Sequence, residues 1–182
     1  MIYDFLAYVF IPLASVWFAG ATDWMTTNFS ILRNSGEKEI LFLTWGAILL
    51  FCFSLWFRDI SRRLDHTRTA LCLTRAACLI LILAMLTPYL PERFPFWSRI
   101  HFYCAFLSPV LFLIGLLFLL LRYRQENPCI AKRYLWGFWI ISGLSLILLW
   151  KAGMVTSALE IFFASSCSIL LRRLHRRVAG CP

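Results

Sequence analysis

Residues 97–124, WSRIHFYCAFLSPVLFLIGLLFLLLRYR, decide the fold. From position 100 to 121 only His101, Ser108 and the weakly polar Tyr103 and Cys104 interrupt an apolar run. At about 1.5 Å per residue in a helix, that run is long enough to cross a hydrocarbon core of about 30 Å. Wound as a helix, His101, Cys104, Ala105, Ser108, Phe112 and Gly115 recur at i, i+3, i+4 and i+7 spacing and form a small-residue face with a titratable group at one end. Small residues let neighbouring helices approach and polar groups avoid lipid, so this face is expected to turn inward.

Composition points the same way. Hydrophobic residues make up 61% of the 182 positions and charged residues only 15%, against about a quarter charged in soluble domains. The chain reads as an integral membrane protein. A net charge of +9 would suggest nucleic acid in a soluble protein. Here the basic residues bracket apolar runs, which is a topology signal, and no nucleic-acid partner is expected. The seven cysteines, Cys52, Cys72, Cys78, Cys104, Cys129, Cys167 and Cys181, form no CxxC pair. They read as small buried hydrophobes rather than as disulfides, metal ligands or a thiol relay. Ala19-Gly20-Ala21 resembles a signal-peptidase site, but the region before the apolar run carries Asp4 and no Lys or Arg, so an uncleaved first span is expected.

The same reading gives six spans, at about 2–20, 40–57, 69–86, 100–121, 134–151 and 154–171, in a single transmembrane domain over 1–182. The loop after the second span, the loop after the fourth and the tail (Arg172, Arg173, Arg176, Arg177) hold four Lys or Arg each, whereas the other loops hold two, two and one. The expectation is an all-α bundle of six transmembrane helices, N-in and C-in, in a bacterial cytoplasmic (inner) membrane. Pro12 interrupts the first span, where a neighbouring helix can satisfy the freed carbonyl. Arg75 lies shallow enough in the third span to snorkel. The loop TPYLPERFPFW, 87–97, has prolines that argue against a helix and aromatics that suit the headgroup layer; it reads as an interfacial lid or as a plain connector.

With that orientation the remaining polar residues gather on the extracytoplasmic side: Asp23 and Asn28 after the first span, Arg99 and His101 opening the fourth, Lys151 closing the fifth and Glu160 in the sixth. Glu160 lies about 9 Å inside the membrane by helical rise and needs a partner or a proton. His101, Lys151 and Arg99 are candidates by depth; a neutral Glu160 bonded to a serine is the alternative. His101 and Glu160 each sit on a small-residue face, so the two are expected to meet across their spans, directly or through one water. An acid–base pair of His101 with Glu160 or Asp23 is conceivable. Asp23, His101 and Glu160 make a weak donor set for zinc, and no metal is expected. No GxSxG, P-loop, dinucleotide-binding glycine pattern or HExxH is present, and no cofactor is expected. Asn28-Phe29-Ser30 matches the glycosylation sequon, a pattern common by chance.

Six spans, a polar first outer loop (TTNFSILRNSGEKE), a histidine opening the fourth span (IHFYCAFLSPVLFLIG) and an acid near the start of the last (SALEIFFASS) resemble the Frag/DRAM/Sfk group and its bacterial relatives. The resemblance rests on Asn28, Ser30, His101 and Glu160, and the proline-proline-arginine pattern of that group's first outer loop is absent. It implies a membrane protein linked to lipid or lipid-anchor handling, distantly similar to membrane hydrolases whose full set of metal histidines this chain lacks. The leading expectation is non-enzymatic: a pocket lined by Asp23, Asn28, His101 and Glu160, with Lys151 and Arg99 nearby, presented to membrane lipid, to a lipid headgroup or to a small amphiphile. A lipid-directed hydrolase, a structural subunit of a membrane complex and a proton-coupled transporter are the rival readings.

Overall fold

Apolar runs separated by basic and proline-bearing turns fold into a stack of helices, and the computed structural model describes them over residues 1–34 and 38–180. Ser35, Gly36, Glu37 and Cys181 lie outside the described residues. The helices are α1 (Ile2–Ala19), a short α2 (Phe29–Arg33), α3 (Glu39–Ser61), α4 (Arg68–Leu86), α5 (Pro95–Glu126), α6 (Pro128–Ala152) and α7 (Ser157–Val178), with no strand among the described residues. The fold is all-α. Five helices, α1, α3, α4, α5 and α6, are long and apolar enough to cross a membrane.

The sixth expected span, 154–171, coincides with most of helix α7 (Ser157–Val178). Its helix α7 is not among those five, because Glu160, four serines and a basic last turn dilute its apolar content. Its surroundings explain how that is tolerated. α7 packs against α1, α3 and α6, so Ala164, Cys167, Leu171 and Leu174 are buried by protein.

Helix boundaries follow proline chemistry. The sequence reading put Pro95 in a non-helical loop and began the fifth span at 134, yet Pro95 and Pro128 open α5 and α6 from their first turns. A first-turn proline loses an N–H that has no intrahelical partner anyway. Inside α1 the backbone runs as a π-turn over Leu6–Phe10, with the Ile11 N–H bonding back to Leu6 O. In that register the next carbonyl, Ala7 O, would take the N–H that Pro12 lacks. Ser168 Oγ of α7 stands 3.1 Å from Ala7 O and 2.8 Å from Ser165 O, and its one hydrogen is shared between the two carbonyls. The expected rescue by a neighbouring helix thus comes from α7.

The small-residue face of α5 is its packed face: His101, Ser108, Phe112 and Gly115 are buried. α4 lies along it, and Ser108 Oγ donates to Ala77 O at 2.9 Å. Arg75, on the opposite side of α4, is exposed. At the basic end of the bundle, Arg172, which the sequence reading counted with the basic tail, belongs to helix α7. It is buried and donates to Asp4 Oδ1 at 3.0 Å and Oδ2 at 3.2 Å, tying α7 to the start of α1. Its third nitrogen donates to His175 Nδ1 at 2.6 Å, which leaves His175 Nε2 to carry the proton toward Asp59 Oδ2, 3.5 Å away on α3.

The α4–α5 contact has a sharp steric test. A Cβ on Gly115 would stand 2.8 Å from Thr74 Oγ1 and 3.1 Å from the Ala70 carbonyl, whereas a Cβ on Gly143 meets nothing within 4 Å. In detergent, Gly115→Ala is expected to destabilise the protein by about 1–3 kcal/mol, and Gly143→Ala to stabilise it by about 0.5–1 kcal/mol through helix propensity. Thermal melts of the two variants check this, and equal melts would contradict the close approach.

Candidate functional site

The segment between α1 and α3 does not simply pass over the bundle; it is drawn into its end. Gly20 closes α1 with φ +60°, a left-handed conformation that suits glycine. Asp23 then forms a turn of its own, Oδ1 accepting from the Met25 N–H at 3.0 Å and Oδ2 from the Thr26 hydroxyl at 2.9 Å. Those two bonds hold its carboxyl below the usual aspartate value. The first N–H groups of α7 have no intrahelical acceptor, and two of them reach this segment: Ser157 N–H bonds Thr27 O at 2.7 Å and Ala158 N–H bonds Trp24 O at 3.0 Å.

Asn28 follows as the N-cap of α2, its Oδ1 accepting the Ile31 N–H at 2.8 Å. The segment expected to be a polar connector therefore contains a helical turn, and Asn28, expected as a ligand contact, spends its side-chain oxygen on the cap. The next residue, Phe29, is fully buried. Its ring packs edge-on against Phe18 of α1 (centroids 4.9 Å) and Trp45 of α3 (5.0 Å). Its backbone N–H donates to Glu160 Oε2 at 2.7 Å.

One residue further, Ser30 Oγ is 2.7 Å from His101 Nε2. His101 Nδ1 lies 2.8 Å from Ala84 O and 3.2 Å from Thr87 O at the end of α4. Carbonyls only accept, so Nδ1 carries the hydrogen and, in the neutral ring, Nε2 accepts from the serine hydroxyl. Arg33 shares the Thr87 carbonyl at 3.3 Å, grips Met85 O at 2.6 Å and pairs with Glu39 at 2.6 Å. Tyr89, from the proline-rich loop, lays its ring over the imidazole at 5.3 Å between centroids.

The sequence reading placed six residues in this site, and the structure brings three together. Asn28, Glu160 and His101 converge on consecutive positions of the α2 turn. Asp23 is exposed on its own turn, and Arg99 and Lys151 are exposed at the ends of α5 and α6. The direct form of the expected Glu160–His101 contact is corrected: no hydrogen bond or ion pair joins the two side chains, and each holds a neighbouring residue of α2. Among the described residues no three His, Cys, Asp or Glu side chains gather closely enough to hold a metal ion. Sequence reasoning missed Ser30 as a contact of His101, although Asn28 three residues before Ile31 is a legible capping signal. The backbone donor of Phe29 and the acceptors Ala84 O and Thr87 O carry no residue-type signal.

Glu160→Ala strips the buried Phe29 N–H of its acceptor and is expected to cost about 1–3 kcal/mol, whereas Glu160→Gln keeps an acceptor oxygen and is expected to stay closer to the parent. Thermal unfolding of both variants in one detergent checks this; equal losses would mean that charge, not the hydrogen bond, is what the site needs. No known protein-family model, curated protein or solved structure matches this chain.

Proposed function

We propose that the chain is a six-span protein of a bacterial cytoplasmic membrane, both termini cytoplasmic, whose extracytoplasmic end receives a lipid headgroup or small amphiphile. In this reading α7 is the sixth crossing, shielded from lipid by its neighbours. The observation that carries the proposal is the meeting of an apolar groove with the polar cluster at Phe29. A groove of about 720 Å³ runs between α1 and α3, lined among others by Val9, Leu13, Trp17, Leu41 and Ile48. Phe18 and Trp45 line it too, and they are the rings that seat Phe29. From Phe5 to Phe18 the groove follows α1 for about 20 Å, the length of an acyl chain. Lys38 stands at its Phe18 end, donating to Phe18 O at 3.1 Å with its ammonium 5.7 Å above the ring. An apolar slot ending in a cation and a few fixed polar groups suits an acidic amphiphile. Lys38, a residue the sequence reading did not place in the site, is the cation at this end of the groove.

Two experiments test the two parts. For topology, single cysteines at Gly36 and Arg63 in a background without native cysteines are expected to react with an impermeant maleimide from opposite sides of the membrane; reaction from one side overturns the orientation. For binding, a diazirine fatty acid added to the protein in nanodiscs is expected to cross-link to α1 and α3, and Leu13→Trp to block it. Lys38→Ala should weaken labelling about fivefold, the equivalent of roughly 1 kcal/mol for a lysine near an anionic group. Cross-linking spread evenly over all exposed helices and indifferent to both substitutions overturns the groove.

A further inference from the structure

We propose that Ser30 and His101 form a nucleophile and general base that cleave an acyl ester of the amphiphile received at this end, an inference that rests on the amphiphile reading above. The arrangement has the three parts that activate a serine. The hydroxyl is 2.7 Å from a ring nitrogen. That nitrogen is the unprotonated one, because the other donates to Ala84 O at 2.8 Å. Those backbone carbonyls also fix the ring's orientation, the role of the third group in a serine–histidine system. Among the described residues the Ser30 hydroxyl has no other hydrogen-bond partner. Arg33, paired with Glu39, donates to the same Thr87 carbonyl that the ring uses and so braces the backbone acceptor that orients the imidazole.

Access is gated by the proline-rich loop. Ser30 is 9% exposed and His101 4%, and Tyr89 lies over the ring. The loop is pinned by Asn34 Nδ2 donating to Tyr89 O at 2.5 Å and by Leu90 N–H donating to Ser98 Oγ at 2.9 Å. Lifting Tyr89 uncovers the pair, which gives this segment the part of an interfacial lid.

The reaction balances with water alone. Ser30 Oγ attacks the ester carbonyl carbon as its proton passes to His101 Nε2. The tetrahedral adduct collapses, the ester C–O bond breaks, and the leaving alcohol takes that proton. Water, deprotonated by Nε2, then attacks the acyl-serine; the Ser30 oxygen leaves and recovers the proton, and a carboxylic acid is released.

The test uses the full chain in nanodiscs and an alkyl fluorophosphonate, which phosphonylates activated serines with loss of fluoride. Mass spectrometry is expected to find the adduct on the peptide containing Ser30 and to lose it in Ser30→Ala. His101→Gln should slow labelling about 10²–10⁴-fold, and Asn34→Ala, which frees the lid, should speed it. Cleavage of a p-nitrophenyl decanoate should follow the same order. If a histidine variant fails to fold, the folded parent still decides: no adduct on Ser30 overturns the proposal. The diazirine cross-link separates the two ideas. Cross-linking without a Ser30 adduct leaves the amphiphile reading standing and removes the hydrolase. An adduct without cross-linking removes the amphiphile reading and this substrate class with it.

Discussion

A carboxyl group placed among apolar helices must find a donor for its acceptor oxygen, and much of one end of this bundle is arranged around the donor that Glu160 finds. It is a backbone N–H, that of Phe29, 2.7 Å away. A backbone donor can reach a side chain inside a bundle only if its chain is drawn in with it. Phe29 therefore brings its ring into the gap between α1 and α3, and Ser30 is delivered to His101. The Asn28 cap pre-forms the turn that presents both residues, sparing Ile31 N–H an unpaired state. The polar residues at this end are thus contacts on one short piece of chain.

That constraint explains which parts of the molecule were legible in the sequence. That α1, α3, α4, α5 and α6 are long and apolar enough to cross a membrane follows from the apolar runs themselves. The inward face of α5 follows from 3.6-residue periodicity. The Glu160–His101 pairing did not follow, because periodicity gives a residue's face and depth but not its partner. Every residue carries a backbone N–H, so a side chain that takes one leaves no mark on the partner's identity. The α2 turn was hidden for a related reason. Five residues are too few to show a period, and only the Asn28 capping signal stood to reveal it.

The prolines show the same limit from another direction. Pro95 and Pro128 were readable as helix breakers or helix starters, and only the position of the flanking loop decides between the two. Pro12, by contrast, had one outcome open to it within a span. Its missing N–H leaves a carbonyl in hydrocarbon that must be paired, and α1 shifts into a π-turn while Ser168 approaches Ala7 O.

These contacts account for the composition of α7, the long helix that is less apolar than the five that could cross a membrane. From one end to the other its polar groups are spent on the N-terminal part of the chain: Ser157 N–H on Thr27 O, Glu160 on Phe29 N–H, Ser168 on Ala7 O and Arg172 on Asp4. Each of these groups would be costly facing lipid, and the Phe29 N–H and the Ala7 carbonyl would be costly to leave without a partner. The low hydropathy of α7 is then the consequence of its position. A helix surrounded by α1, α3 and α6 has little lipid to satisfy, and it is free to carry the hydrogen bonds that hold α1 and the segment after it in place.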